Sequence, residues 1–337
     1  MILKEHEMLL DIETTGLSKE NDTIVSLGIM YNKNNTIEKK YFFADNIEEE
    51  KSTLICFLEF IDVFNTIYSY QGKRFEFSFI IARLEHLGIP PISFTKHTLV
   101  DLSTVVRFLG SKKENIEKAL DYHRSSSVDG RQVITLYKTY IDCNQTIYKD
   151  LILKHQSDEL DSLCYMKNVY QIVYNLKKHD LIKAANGSFN YRTLSYYPID
   201  VILKVQDTIC HVVSEPSNNA SLESSNLANT FKCQVNIDVK VYDSKLRKYL
   251  PTKDYVYIVS EDKLLPKSLA SFISKDKKSA VPKDKCYISI NGKFIKVFTS
   301  FKVDTDIYYD KAKNKFILLD DYTREVFEAQ FYHSLNK

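Results

Sequence analysis

The apolar segment MLLDIETTGL (8–17) near the N-terminus carries two carboxylates in surroundings that otherwise favour a β-strand. In a strand, residues i and i+2 point to the same face, so Asp11 and Glu13 project together. Two adjacent carboxylates on an apolar strand lose solvation and repel each other unless a cation or a proton compensates them. The alternative to a cation site is an edge strand whose carboxylates face solvent. The apolar residues before the pair and the turn-forming residues after it favour a cation site, and such oxygen ligands suit Mg²⁺ or Mn²⁺.

In the first half of the chain, apolar residues recur at the spacing of a β-strand in some segments and at the spacing of an α-helix in others. Three runs of strand type are followed by a segment of helical apolar spacing, another strand, a helix that stops at Gly88, a short strand, and helical spacing almost to residue 176. This order predicts an α/β fold with a mixed β-sheet flanked by helices. The predicted strands are 8–17, 23–31, 36–44, 66–70 and 97–101, and the predicted helices before residue 100 are 54–64 and 75–87.

The second half has a different pattern. Alternating runs at 234–242, 255–260, 286–298 and 306–319 predict a smaller β-rich domain, closed by a helix near 322–335. Asn291-Gly292 is a sequence typical of a two-residue hairpin turn. The Ser- and Asn-rich segment 214–230 predicts a flexible loop. We therefore expect two domains, residues 1–175 and residues 176–337.

Composition limits the class of protein. The six cysteines show no paired spacing typical of zinc ligands, no segment reaches the roughly 20 apolar residues of a membrane span, and no N-terminal signal sequence is apparent. We expect a cytoplasmic protein. The formal net charge of +2 combines an acidic half, residues 1–175, with a basic half, residues 176–337. This difference in net charge is expected if a metal site lies beside a surface that binds a polyanion, and it is equally compatible with chance variation in composition.

Several motifs occur in an order that resembles a known family. DIETTGL (11–17) resembles the first motif of DEDD-type 3′–5′ exonucleases, and YQGKRFEFSFIIARLEHLGIP (70–90) is similar to the second motif of their bacterial YprB-type, RNase H-like branch. TLVDLSTVVRFLG (98–110), VDGRQVITLYKTY (128–140) and HQSDELDSL (155–163) resemble the later motifs. The resemblance covers about residues 7–167 and does not reach the C-terminal half.

The resemblance implies a set of site residues. Asp11, Glu13, Glu76 and Glu159 are expected to bind two Mg²⁺ or Mn²⁺ ions. His155 stands where the family has the residue that orients or deprotonates the attacking water, and it would share a helix face with Glu159. The expected contacts to nucleic acid are Thr14, Thr15, Gly16, Leu17, Gln71, Lys73 and Arg74.

Two departures from the family pattern concern the ligands. Glu76 and Glu159 stand where the family has Asp, and an extra methylene at two ligands could weaken or shift one metal ion. Asp158 and Asp161 are the alternative candidates for the fourth ligand. Gln71 and Gln156 also replace the usual Asn.

The implied function is a metal-dependent 3′–5′ exonuclease that hydrolyses phosphodiester bonds of DNA or RNA. The alternative is a catalytically degraded module of the same fold that binds nucleic acid or another protein. The two Glu residues in place of Asp favour the alternative, whereas the intact first motif favours the enzyme.

Overall fold

The computed structural model of the 337-residue chain describes residues 2–215, 230–298 and 305–336. Most of the segment predicted to be a flexible loop, residues 216–229, therefore lies outside the described residues. The helices are α1 (Glu50–Ile61), α2 (Glu76–His86), α3 (Ile92–Thr95), α4 (Ser103–Val106), α5 (Lys113–Ala119), α6 (Gly130–Cys143), α7 (Thr146–Tyr174) and α8 (Arg324–Leu335). The strands are β1 (Glu7–Thr14), β2 (Ile24–Lys33), β3 (Thr36–Phe43), β4 (Thr66–Ser69), β5 (Thr98–Asp101), β6 (Asp180–Ala185), β7 (Ser188–Ser195), β8 (Asp200–Val205), β9 (Thr208–Glu215), β10 (Phe231–Val239), β11 (Val241–Tyr249), β12 (Tyr255–Ile258), β13 (Lys263–Pro266), β14 (Lys278–Ser279), β15 (Tyr287–Val297), β16 (Tyr308–Tyr309) and β17 (Lys315–Leu318).

The N-terminal sheet has five strands in the order β3-β2-β1-β4-β5. β1 and β3 pair with β2 antiparallel, whereas β4 is parallel to both β1 and β5. Asn34 and Asn35 have φ values of 50° and 66° at the turn between β2 and β3, a conformation that Asn tolerates better than most residues. The mixed sheet flanked by helices confirms the predicted fold class.

The alternation along β1 separates a hydrophobic core from the carboxylates. Met8, Leu10 and Ile12 pack with α1 and α2 in the main apolar cluster. The residues that alternate with these along β1 contact α7. Glu7 Oε2 lies 2.9 Å from Nζ of Lys167, and the Asp11 carbonyl oxygen accepts a hydrogen bond from Gln156. The period of two along a strand thus places Asp11 and Glu13 on the α7 side of the sheet.

The C-terminal half is rich in strands, as predicted. A second sheet has the order β6-β7-β10-β9-β8, β11, β15, β17 and β16 close into a small barrel, and β13, β12 and β14 form a three-stranded sheet. The helix predicted near 322–335 is α8.

The hairpin predicted at Asn291-Gly292 is wrong. Both residues lie inside β15, where Asn291 pairs with Lys245 and Gly292 with Ser244 of β11. A two-residue hairpin turn needs positive φ values, and neither residue has one. A Cβ at Gly292 would lie 3.2 Å from Cδ2 of Leu318. The role of this glycine is therefore to let β17 pack closely against β15, and it does not form a turn.

The described chain divides into two compact units. The first comprises residues 1–180, 191–203 and 211–235, and the second comprises residues 181–190, 204–210 and 236–337. The division into two domains at residues 175 and 176, which we expected from the sequence, stays a prediction. Within the described residues, no helix combines the length and the apolar character needed to cross a lipid bilayer.

Candidate active site

The two carboxylates of the first motif lie side by side where the sequence predicted them. Asp11 pairs with Gly28 and Glu13 with Ser26 of β2, and both acids are less than a tenth exposed. Burial, together with the charge of Glu159, raises the pKa of Asp11 to about 7. Burial and the charge of Asp11 likewise raise the pKa of Glu13 well above its usual value. The charges of Lys113 and Arg124 lower both pKa values but do not outweigh burial, so a further positive charge beside the pair would be favourable.

Gln156 of α7 connects the sheet to the site. Its Nε2 donates to the Asp11 carbonyl oxygen at 3.1 Å and lies 3.4 Å from Asp11 Oδ2, while its Oε1 accepts from Ser26 Oγ at 2.7 Å. The side chain is completely buried. Gln156 therefore positions β1 against α7, and its hydrogen bond lowers the pKa of Asp11 without outweighing the effect of burial.

Glu76 supplies the third carboxylate at the first residue of α2. Its Oε2 is buried and has no hydrogen-bond partner in the described structure. Burial, followed by the charge of Asp11, raises the pKa of Glu76 to about 8. The chain reaches α2 through Gln71, whose φ of 55° lies in the left-handed region that Asn adopts more easily than Gln.

Glu159 and His155 lie one turn apart on α7, as predicted from their spacing. His155 Nε2 is 3.6 Å from Glu159 Oε1 and 3.5 Å from Glu13 Oε1, so the imidazole faces both acids. Burial lowers the pKa of His155 below its usual value despite the opposing charge of Glu159. A neutral imidazole of this kind can accept a proton at pH 7.

Glu159 already has two cationic partners. The Lys113 ammonium contacts Oε2, and Nη1 of Arg124 lies 2.6 Å from Oε1. Burial raises the pKa of Glu159, but the charges of Lys113 and Arg124 outweigh it and lower the pKa to about 2. Glu159 is therefore ionised and compensated, unlike the other three acids.

Arg124 is held in place by a further carboxylate. Its Nε and Nη2 donate to Oε2 and Oε1 of Glu117 at 2.8 Å and 2.6 Å, and Ser162 Oγ of α7 also donates to Glu117 Oε1. This bidentate pair fixes the guanidinium geometry. We predicted no role for Lys113 or Glu117 from the sequence, because both are charged residues of a short helix and no local pattern marks them.

The two acids considered as substitute ligands have other partners. Asp158 accepts hydrogen bonds from Ser125 Oγ at 2.9 Å and from the Ser126 amide at 2.6 Å. Asp161 pairs with Lys39 at 2.7 Å. Their use as substitute metal ligands stays a prediction.

A cavity of about 550 Å³ adjoins Glu13, and its lining includes the apolar Leu17, Phe75 and Ile134 and the charged Glu114, Asp129 and Arg131. Leu17 is 81% exposed, which is unusual for a leucine beside a buried strand. Thr14, Gly16 and Leu17 of the predicted nucleic-acid contacts line this cavity.

The remaining predicted contacts lie outside that lining. Thr15 Oγ1 donates to Asp22 Oδ1 at 3.2 Å, and Gln71 Nε2 donates to the Tyr70 hydroxyl at 3.1 Å. Lys73 and Arg74 are exposed at the start of the second motif. Their contacts to nucleic acid stay predictions.

The acids fit a divalent cation only in part. Asp11, Glu13 and Glu76 are oxygen donors of the kind that Mg²⁺ and Mn²⁺ prefer, and the unpartnered Oε2 of Glu76 fits a ligand role. Glu159 does not fit, since Lys113 and Arg124 occupy its oxygens. Among the described residues, no three His, Cys, Asp or Glu side chains converge closely enough to hold a metal ion. The two-ion site expected from the sequence stays a prediction.

Comparison with known proteins gives one family. The family model RNase_H_2, described as RNase_H superfamily, matches residues 8–171. No curated protein matches the chain. Among solved structures, the family B DNA polymerase of the hyperthermophilic archaeon Pyrobaculum calidifontis is 11% identical, with a TM-score of 0.41 over 78% of this chain and 39% of the polymerase. A structure of exonuclease I is 15% identical, with a TM-score of 0.29 over 61% of this chain and 55% of that one. This chain spans 39% of the length of the polymerase and 55% of that of exonuclease I.

Proposed function

Since residues 8–171 form a domain of the RNase_H superfamily, we propose that this chain is a nuclease that hydrolyses phosphodiester bonds of DNA or RNA, acting as a 3′–5′ exonuclease. Membership of the superfamily supports a nuclease-like function. The observation that carries the finer proposal is the group of three acids, Asp11, Glu13 and Glu76, of which the first two are less than a tenth exposed and the third has a buried Oε2. Among the described ion pairs none of the three is paired with a Lys or an Arg, and Glu13 lies 3.5 Å from Nε2 of His155. A cytoplasmic location is likewise proposed.

The chain's own residues have distinct tasks in this reaction. Asp11, Glu13 and Glu76 would hold Mg²⁺ or Mn²⁺, and the bound ion would lower the pKa of a water and polarise the phosphate. His155 accepts the proton of the attacking water at Nε2, which lies 3.5 Å from Glu13.

The cavity beside Glu13 supplies the binding part of the site. Leu17 and Phe75 provide apolar surface on which the terminal base rests, and Arg131 can contact a phosphate. Contacts of this kind accept any base, because every base has a planar apolar face.

A second function is supported by a specific observation. Glu159 is bound by Lys113 and Arg124, and no three ligands converge in the described structure. A domain in this state would bind nucleic acid or a protein partner without cutting, since the carboxylates could not hold two ions. This alternative predicts oligonucleotide binding without any release of nucleotides.

Binding of Mn²⁺ and release of nucleotides distinguish the two functions. We expect the wild-type protein to bind Mn²⁺ in a calorimetric titration, and to release mononucleotides from a 5′-labelled oligonucleotide of DNA or RNA. Asp11→Ala should abolish both, because it removes a buried oxygen ligand. Asp150→Ala is the matched control, since Asp150 is exposed on α7. A wild-type protein that binds no divalent ion and degrades no substrate would rule out the nuclease and leave the binding module.

A further inference from the structure

A separate cavity, of about 380 Å³, lies where the C-terminal end of α7 meets the end of β7. We call it the α7 cavity. Its volume is in the range of sites that bind small molecules, which is about 300–1,000 Å³. The described residues that line it all belong to the first compact unit, and the acids of the candidate active site are not among them.

Positive charge predominates in the α7 cavity. Lys4, Lys178 and Arg192 line it, whereas Asp180 is the one acid among the described lining residues. All three cations are exposed, and none of them takes part in an ion pair within the part of the chain that the structure describes. The excess of positive charge suits a phosphate monoester, which carries about −1.5 to −2 at pH 7, better than the single charge of an internal phosphodiester.

The end of α7 does not occupy these cations. The last carbonyl groups of a helix carry partial negative charge and favour a nearby lysine. Here Nδ2 of Asn175 donates to the carbonyl oxygen of Gln171 at 2.7 Å. Nε2 of His179 lies 2.7 Å from the carbonyl oxygen of Ile172. Side chains of the chain itself therefore satisfy these carbonyl groups, and the Lys178 ammonium stays available to an anion.

Asn175 and His179 also supply hydrogen-bond acceptors, and both line the cavity. Because Nδ2 of Asn175 donates to a carbonyl group, Oδ1 is left as an acceptor. Burial lowers the pKa of His179 despite the opposing hydrogen bond to Ile172, so the ring is neutral at pH 7. A neutral ring that donates from Nε2 has an unprotonated Nδ1. A phosphate dianion has no proton for either acceptor, whereas the hydroxyl groups of a sugar and the amino group of a base do.

Leu194 and Tyr196 add apolar and aromatic surface to the same cavity. Leu194 is 57% exposed, although it lies in β7. An aromatic ring or an exposed aliphatic side chain can contact the planar face of a base. The cavity thus combines groups for a phosphate, for hydroxyl or amino donors, and for a planar apolar face.

We propose that the α7 cavity binds a nucleoside monophosphate. The three cations contact its phosphate, its sugar or base donates to Oδ1 of Asn175 and Nδ1 of His179, and its base lies against Leu194. This site is additional to the proposed nuclease function and does not depend on it, because the acids of the candidate active site take no part.

Calorimetry in the presence of EDTA tests this inference, since no divalent ion is then available for cleavage. The probes are adenosine 5′-monophosphate, inorganic phosphate, adenosine, and a short oligonucleotide without a terminal phosphate. We expect the full-length wild-type protein to bind the monophosphate at least about tenfold more tightly than each of the other three probes. Lys178→Gln should weaken this binding by about tenfold, because a charge-assisted hydrogen bond to the phosphate is lost.

Lys232→Gln is the matched control. Lys232 is an exposed lysine that lines a neighbouring cavity of about 460 Å³. Asp180 and Glu215 line that cavity together with Lys232 and Arg192, so its charges balance. Lys232→Gln removes the same charge as Lys178→Gln, and it should bind the monophosphate as the wild type does.

Four results would overturn the inference. The first is a wild-type protein that binds no monophosphate at millimolar concentration. The second is inorganic phosphate bound as tightly as the monophosphate, which would indicate a simple anion site. The third is tighter binding of the oligonucleotide, which would indicate a site for a strand. The fourth is equal weakening by Lys178→Gln and Lys232→Gln in proteins with unchanged circular dichroism. Each of these results would leave the proposed nuclease intact.

Discussion

Gly28 shows how one small residue allows the site to form. It pairs with Asp11 across β1 and β2, and the side chain of Gln156 lies directly over it. A Cβ at this position would lie 2.6 Å from Cδ of Gln156, which is closer than real side chains approach. Glycine is therefore needed here for space and not for an unusual backbone conformation. The sequence offered no sign of this, because Gly28 looks like an ordinary interruption in a predicted strand.

Gly28→Ala should lower the free energy of unfolding by about 1–3 kcal/mol, because the new methyl group must displace a fully buried glutamine and break its hydrogen bonds. Chemical denaturation measures this loss. Gly130→Ala is the control, since a Cβ there meets no atom within 4 Å and Gly130 is the first residue of α6. That change should leave the stability unchanged or raise it by about 0.5–1 kcal/mol. Equal stability of Gly28→Ala and the wild type would contradict this account.

At the scale of elements, a buried ion pair connects α1, α2 and β2. Arg83 of α2 donates from Nε and Nη2 to Glu50 of α1 at 2.8 Å and 2.6 Å, and the Ile24 amide of β2 donates to Glu50 Oε1. Both charged side chains are at most 5% exposed. This pair holds α2 in position, and α2 begins at Glu76, so the geometry of the third acid depends on a contact outside the site.

Arg83→Met should destabilise the protein by about 3–5 kcal/mol, because it leaves the Glu50 carboxylate buried without its cation. The measurement is equilibrium unfolding in denaturant. The double variant Glu50→Leu/Arg83→Met should recover a large part of the loss, since no unpaired charge remains. Lys51→Met, at an exposed position of α1, is the control and should change stability by less than about 0.5 kcal/mol. A small effect of Arg83→Met would show that the pair is not needed to position α2.

At the scale of the whole molecule, the C-terminal half carries a net positive charge, whereas the first half carries a net negative charge. In the second unit, Lys253, Lys267 and Lys278 line a cavity of about 400 Å³ together with Tyr255. Lysines around an aromatic ring are typical of surfaces that bind a phosphodiester backbone and a base. The charge distribution along the sequence fits such an attraction and fits ordinary scatter equally well.

Replacing these three lysines with Gln should weaken the binding of single-stranded oligonucleotides by the full chain. Three lost phosphate contacts, at about 0.7 each, should reduce the slope of log affinity against log salt by about 2. Fluorescence anisotropy at several salt concentrations measures this slope. Gln at three exposed lysines elsewhere in the second unit, Lys183, Lys204 and Lys311, is the control for net charge. Equal losses in the two triple variants would mean that charge alone matters and that the cavity does not bind nucleic acid.

The sequence by itself determined the features that depend on neighbouring residues. The period of two along 8–14 is a local property, so it predicted both strand β1 and the shared face of Asp11 and Glu13. The spacing of four predicted in the same way that His155 and Glu159 face one another on α7. The tertiary structure alone decided which partners meet these residues. Lys113 reaches Glu159 across 46 residues of sequence and Arg124 across 35.

The same distinction explains the error at Asn291-Gly292. The local pattern favoured a turn, but pairing with the whole length of β11 and packing against Leu318 made this segment a continuous strand. Local periodicity specifies which face of an element a side chain occupies. The choice of partner across tens of residues depends on how the elements pack, and no short window of sequence contains that information.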